Sequence, residues 1–107
     1  MDTKTLELIS LDIASLISKY ADMLIKTRNM TAVRLVGTLE AAYNHCLSSI
    51  AGDGDIYCLV KHISYAIILA GELDGDVSDL YQILAVITKE KIQPCQACKS
   101  DSDEEQK

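Results

Sequence analysis

Residues 51–70, AGDGDIYCLVKHISYAIILA, contain both a decisive break and the most apolar helical segment of the chain. The two glycines among the first five residues are a strong stop signal, so a helix should end just before them. The segment 56–70 is apolar on nearly every side, with only three clearly polar residues, Lys61, His62 and Ser64. Such a helix belongs at the centre of a bundle or at an oligomer interface. We expect it to stop at Gly71.

Three further helical patterns flank this segment. Apolar residues recur in steps of three and four over about residues 3–27, 31–50 and 77–92, which gives each helix one apolar stripe. Thr27-Arg28-Asn29 separates the first two, and we expect its asparagine to take the left-handed geometry of a helix end. Because short connections favour antiparallel neighbours, the sequence predicts an all-α, antiparallel up-down four-helix bundle with two long and two shorter helices.

The third and fourth helical patterns open with the same residue types. Asp53-Gly54-Asp55-Ile56-x-x-Leu59 recurs as Asp74-Gly75-Asp76-Val77-x-x-Leu80. We expect the second aspartate of each to cap its helix by accepting a backbone N–H and complementing the helix dipole. Capping chemistry that arose twice explains this match better than duplication. Since carboxylates then occupy both helix N-termini, nucleotide phosphates are disfavoured there.

Composition and charge exclude several classes of function. The chain has 107 residues, enough for one domain, and its net charge is −6; residues 1–50 hold five acids and five bases, so the acidic excess follows Ile50. No Lys and Arg cluster suits nucleic acid, the N-terminus lacks the layout of a signal peptide, and the longest apolar segment, residues 63–70, is too short to cross a membrane. We expect an intracellular, soluble, cytoplasmic protein with reduced cysteines.

The C-terminal residues carry the one chemically suggestive spacing. The helical pattern stops at Pro94, and Cys95-x-x-Cys98 then runs into an acidic sequence. We expect residues 1–92 to form the bundle domain and residues 93–107 to form a flexible acidic tail. Ser100 and Ser102 each precede an acidic residue by three positions, so both are candidate phosphorylation sites.

A zinc site is the sharpest chemical hypothesis. The spacing of Cys95 and Cys98 lets both thiolates reach one ion from a turn, while Cys58 and His62 are four residues apart on one helical face. Together they form a candidate site of three cysteines and one histidine that joins the tail to the third helix. The competing interpretation places Cys58 in the core as a small apolar residue. Redox chemistry is disfavoured because acids follow the cysteine pair and would raise its thiol pKa.

The remaining motifs indicate no enzyme. The sequence has neither a Gly-x-Ser-x-Gly turn nor a glycine-rich phosphate loop, and the adjacent His45 and Cys46 project about 100° apart on a helix. Asp12, Asp22 and Glu40 lie on separate turns and form solvated faces. We expect no cofactor and no small-molecule substrate.

Surplus apolar helical surface favours an interaction function. Helices of unequal length leave part of the long pair uncovered unless a second subunit or another protein covers it. The leading hypothesis is a small protein–protein interaction module, acting as an adaptor, regulator or assembly factor; a compact protein of viral or phage type would fit. We expect a homodimer formed through the third helix or the long hairpin. The alternative is a zinc-binding regulatory protein with the site described above.

Overall fold

Four α-helices make up the described part of the chain. A computed structural model describes residues 2–52, 56–73 and 75–89, and places α1 at Thr3–Thr27, α2 at Met30–Ile50, α3 at Ile56–Glu72 and α4 at Ser78–Thr88. No strand occurs in these ranges, so the all-α prediction is confirmed. None of these helices combines the length and apolar character needed to span a membrane.

Successive helices pack on one another around a single core. Extensive backbone contact joins α1 to α2, α2 to α3 and α3 to α4, an arrangement consistent with a bundle. Each helix contributes one buried apolar stripe, whose largest fully buried members include Ile13, Tyr20, Leu35, Leu39, Leu59, Ile63, Leu80 and Ile87. Each buried leucine or isoleucine stabilises the fold by about 1.5–3 kcal/mol. The apolar α3 is flanked by α2 and α4, although its Tyr65 and Ile68 side chains remain exposed.

The joint between α1 and α2 differs in one residue from the prediction. Arg28, not Asn29, takes the left-handed conformation, with φ 53° and ψ 31°. Asn29 is extended, and its side-chain oxygen accepts the backbone N–H of Thr31 at 2.7 Å. With only two residues between the helices, the asparagine serves as the N-cap of α2. The left-handed turn therefore falls on the residue before it.

The turn between α3 and α4 also corrects the prediction. α3 continues through Gly71 to Glu72, so Gly71 is inside the helix and does not stop it. The chain turns because the carbonyl of Ala70 accepts the backbone N–H groups of both Leu73, at 3.1 Å, and Gly75, at 2.9 Å. That shared acceptor closes the helix end.

Asp76 accepts a backbone N–H at the start of α4, as the sequence predicts, but the N-cap position itself is occupied by Val77. Its carboxylate accepts the backbone N–H of Ser78 at 2.9 Å and the Ser78 hydroxyl at 2.6 Å, and these bonds hold the pKa of Asp76 below its usual range. The helix begins at Ser78 and not at Val77. α4 ends at Thr88, with Lys89 as its C-cap, and not near residue 92 as predicted. The equivalent aspartate, Asp55, lies outside the described residues, as does the tail 93–107 with Ser100 and Ser102.

Candidate functional site

A groove lies between α1, the first helix, and α4, the last. Its volume is about 440 Å³. The α1 side is lined by Ile9, Asp12, Ser15 and Leu16, and the α4 side includes Asp79, Gln82, Ile83, Val86 and Lys89. Within the described residues, α1 and α4 are not joined by the extensive backbone contact that links successive helices. The two helices therefore leave an open channel.

One contact anchors α1 at the end of the groove where α4 begins. The Tyr20 side chain is fully buried, and its hydroxyl oxygen lies 2.9 Å from the point that a Cβ atom would occupy at Gly75. Because Gly75 has no side chain, α1 approaches the α3–α4 turn closely here. Burial, together with the nearby charges of Asp76 and Asp79, raises the pKa of Tyr20.

The groove has an apolar floor and partly exposed apolar edges. Ile9, Leu16 and Ile83 are almost completely buried and form the floor, whereas Val86 is 40% exposed. On α1, Leu8 and Leu11 are exposed. They precede Asp12 and Ser15 by four residues each, so they lie one turn away beside the groove. An apolar floor with exposed leucines beside it and polar residues at its rims is typical of an interaction site.

Charged side chains stand at the rims. Asp12 is on the α1 side, and Asp79 and Lys89 are ten residues apart on the α4 side. None of the three forms an ion pair with another residue in the described ranges, in contrast to Asp22 and Lys26 on α1, which are 3.0 Å apart. The groove therefore presents charges that a docked molecule could pair.

The proposed zinc ligands are only partly within the described structure. Cys58 and His62 are both half-buried on α3, while Cys95 and Cys98 lie outside the described residues. His62 instead stacks on His45 of α2, with ring centroids 4.9 Å apart and an interplanar angle of 24°. In the ranges described, no three His, Cys, Asp or Glu side chains are arranged to hold a metal ion. The four-ligand zinc site stays a prediction.

The histidine pair and the nearby thiol have distinct electrostatic surroundings. Burial lowers the pKa of His62, and the charges of His45 and Lys61 lower it further. Cys46, which follows His45, is fully buried, and burial raises the pKa of its thiol to about 11. A thiol with that pKa is protonated at neutral pH and is a poor nucleophile.

Sequence patterns did not single out either the groove or the histidine pair. The sequence pattern places Asp12 on a solvated face, and the groove depends on how two helices distant in sequence are placed. The sequence positions of the two histidines did indicate that they could meet. His45 is five residues before the end of α2 and His62 is six residues after the start of α3, so the two are nearly equidistant from the turn.

Comparison with known proteins finds no matching family model, no similar curated protein and no similar solved structure. A functional assignment therefore depends on the chain's own surface. In the part of the chain that the structure describes, the groove between α1 and α4 combines apolar area, a concave shape and charged residues without an ion-pair partner.

Proposed function

We propose that this chain is a protein–protein interaction module that binds an α-helix in the groove between α1 and α4. The observation that carries the proposal is the nearly buried apolar floor of Ile9, Leu16 and Ile83, open to solvent between two helices. An amphipathic helix lays its apolar face into such a groove and pairs its polar edges with the rims. The sequence pointed to the third helix or the long hairpin as the interface; the groove is a better candidate because its apolar surface is concave.

The chain would act by binding, as an adaptor, regulator or assembly factor in the cytoplasm, and not as an enzyme. The proposal includes an up-down helix order. Tyr20 contacts Gly75, which precedes α4, while the α1 residues of the groove all precede Tyr20. Going forward along α4 therefore corresponds to going backward along α1, which supports antiparallel packing of these two helices.

Two valines of matched exposure provide the test. Val86 lines the groove and is 40% exposed, and Val33 is 42% exposed on α2 outside the groove. Proteins retained by the immobilised chain would be identified, purified and measured against each variant by calorimetry. We expect Val86→Asp to weaken binding by more than about tenfold, as a charge placed in an apolar contact does. Val33→Asp should leave the affinity unchanged.

Fold retention is checked on the same samples. Both substitutions replace a partly exposed valine, so the two variants should show similar circular dichroism spectra and similar melting temperatures. Equal affinity of both variants for every purified partner, including a second copy of the chain, would refute the groove as the binding surface.

A further inference from the structure

We infer that the helix bound in the groove is α4 of a second copy of this chain, docked antiparallel to α4 of the first across a twofold axis on the groove side, level with position 84. The inference rests on the proposed function and identifies the occupant of the groove. Its support is the distribution of charge along the open face of α4.

That open face is a stripe of four residues. Asp79, Gln82, Val86 and Lys89 follow one another at spacings of three, four and three, and all four line the groove. Residues at these spacings lie on one side of a helix. The stripe is about 15 Å long at the rise of an α-helix. It is therefore long enough for two turns or more of a second helix to lie against it.

The stripe is complementary to itself when reversed. Asp79 is five residues before position 84 and Lys89 is five residues after it, while Gln82 and Val86 are two before and two after. In an antiparallel pair about a twofold axis at that position, Asp79 of each copy meets the partner's Lys89. The aliphatic part of Gln82 meets the partner's Val86. The same surface then serves both subunits, as a twofold interface requires.

Other arrangements fit these charges less well. Parallel packing would place Asp79 against Asp79 and Lys89 against Lys89, and like charges in contact disfavour association. A uniformly basic helix would be repelled by the like charge of Lys89, and a uniformly acidic helix would be repelled by Asp12 and Asp79. The antiparallel second copy pairs both charges of the α4 stripe.

Apolar side chains next to the groove extend the surface that a second copy would cover. The exposed Leu8 and Leu11 beside the groove supply further apolar area for the second copy to cover.

Charge reversal tests the inference directly. Sedimentation equilibrium would compare the natural chain with Asp79→Lys and Lys89→Asp. Each reversal turns two ion pairs of the dimer into two repulsions, so we expect the dimer dissociation constant to rise by about tenfold or more. An equimolar mixture of the two variants should recover the dimer, because every reversed charge then faces an opposite charge on the other variant.

A matched control uses the ion pair outside the groove. Asp22→Lys introduces the same change of charge at an exposed position of α1, and it should leave dimerisation unaffected. If a reversal at position 79 or 89 lowers helix content, Asp79→Asn and Lys89→Gln replace the reversals. Each of these substitutions alone should raise the dimer dissociation constant several-fold. The double variant should raise it by less than the product of the two single effects, since both substitutions remove the same ion pairs.

The outcomes separate this inference from the proposed function. If the natural chain stays monomeric while Val86→Asp abolishes the binding of another protein, the inference fails and the proposed function stands. A dimer that responds to Asp79→Lys no more than to Asp22→Lys would also overturn the inference, because it would use another surface. Loss of dimerisation in each reversal, with recovery in the mixture, is the expected result.

Discussion

The Tyr20 hydroxyl oxygen lies 2.9 Å from the point that a Cβ atom would occupy at Gly75, and the Ala70 carbonyl oxygen lies 3.2 Å from the same point. This close approach brings α1 onto the turn that leads into α4. The requirement for glycine is steric and not conformational: among the described glycines, only Gly52 has a positive φ. Gly75 thus sets where α1 meets α4, and with it the end of the groove.

Gly75→Ala is expected to lower the free energy of unfolding by about 1–3 kcal/mol, because the new methyl group of this half-buried residue is too close to the Tyr20 hydroxyl and the Ala70 carbonyl. Gly37→Ala is the control. Gly37 is in the middle of α2, and no atom lies within 4 Å of the position its Cβ would take. That substitution should stabilise the protein by about 0.5–1 kcal/mol through helix propensity. Urea denaturation of both variants measures the difference.

Tyr20→Phe should rescue part of the Gly75→Ala defect. Phenylalanine lacks the oxygen that makes the closest contact, and the ring carbon Cε1 of Tyr20 is at 3.6 Å, an ordinary distance. We expect Gly75→Ala to cost roughly half as much in the Tyr20→Phe background, with the difference read from a double-mutant cycle. The same cost in both backgrounds would show that the hydroxyl does not limit the space at Gly75.

Arg28→Gly should stabilise the fold. Arg28 is exposed and holds φ 53° at the end of α1, where its backbone N–H donates to the Leu24 carbonyl at 2.7 Å. Glycine adopts this left-handed geometry without the steric penalty of a Cβ atom. We expect the free energy of unfolding, measured by thermal denaturation, to rise by about 0.5–1 kcal/mol. Arg28→Ala keeps the Cβ atom, so a similar gain in that variant would point to the arginine side chain and not to backbone strain.

The stacked histidines should make stability depend on pH. The fold lowers the pKa of His62 below the unfolded value of about 6.5, so the unfolded chain binds more protons between these two pKa values. Stability is therefore full above about pH 6.5 and decreases as the pH falls toward the folded pKa. Melting temperatures measured from about pH 7 to pH 5 test this, since the lowered carboxyl pKa values of Asp2 and Asp76 act at lower pH.

Two variants divide this pH dependence between its causes. His62→Gln should remove the His62 contribution. His45→Gln should reduce that contribution without abolishing it, because burial is a larger cause of the lowered pKa than the charge of His45. A melting temperature whose decrease in this pH range is the same in His62→Gln as in the natural chain would contradict the prediction.

Cys46 should react with alkylating reagents only when the protein unfolds. The residue is fully buried and its thiol pKa is raised to about 11, so almost no thiolate is present or accessible at neutral pH. Mass spectrometry after timed iodoacetamide treatment would follow Cys46 with and without urea. Labelling of Cys46 in the native protein as fast as in urea would contradict its placement in the core.

The existence of each described helix could be predicted because each repeats its apolar stripe over several turns, whereas the end of α4 was not predicted: the helix stops at Thr88 and not near residue 92. α1 begins and ends where the pattern of residues 3–27 indicated. The incorrect predictions concern helix ends. Asn29 caps α2, so Arg28 takes the left-handed conformation instead. α3 continues through Gly71 because a glycine inside a helix costs only about 1 kcal/mol. Neither choice is visible in a single residue's propensity.

The groove could not be predicted because it depends on two helices that are far apart in sequence. Asp12 and Val86 share one groove through the packing of α2 and α3 between α1 and α4 and through the contact of Tyr20 with Gly75. Periodicity reports which face of a helix is apolar, but not how far apart two faces stand. The His45–His62 stack could be predicted in part, because the two histidines lie at similar distances on either side of the α2–α3 turn.

The central claim, that the groove between α1 and α4 is the binding surface for a second copy, is tested most directly by methyl NMR over a dilution series. The methyl resonances of Val86 and Ile83 should shift with protein concentration, while those of the equally exposed Val33 should not. In a mixture of labelled and unlabelled chains, we expect intermolecular contacts between Gln82 and the partner's Val86. Methyl shifts confined to Val33 or Ile68, or no methyl shift while sedimentation shows a dimer, would contradict the groove as the dimer interface.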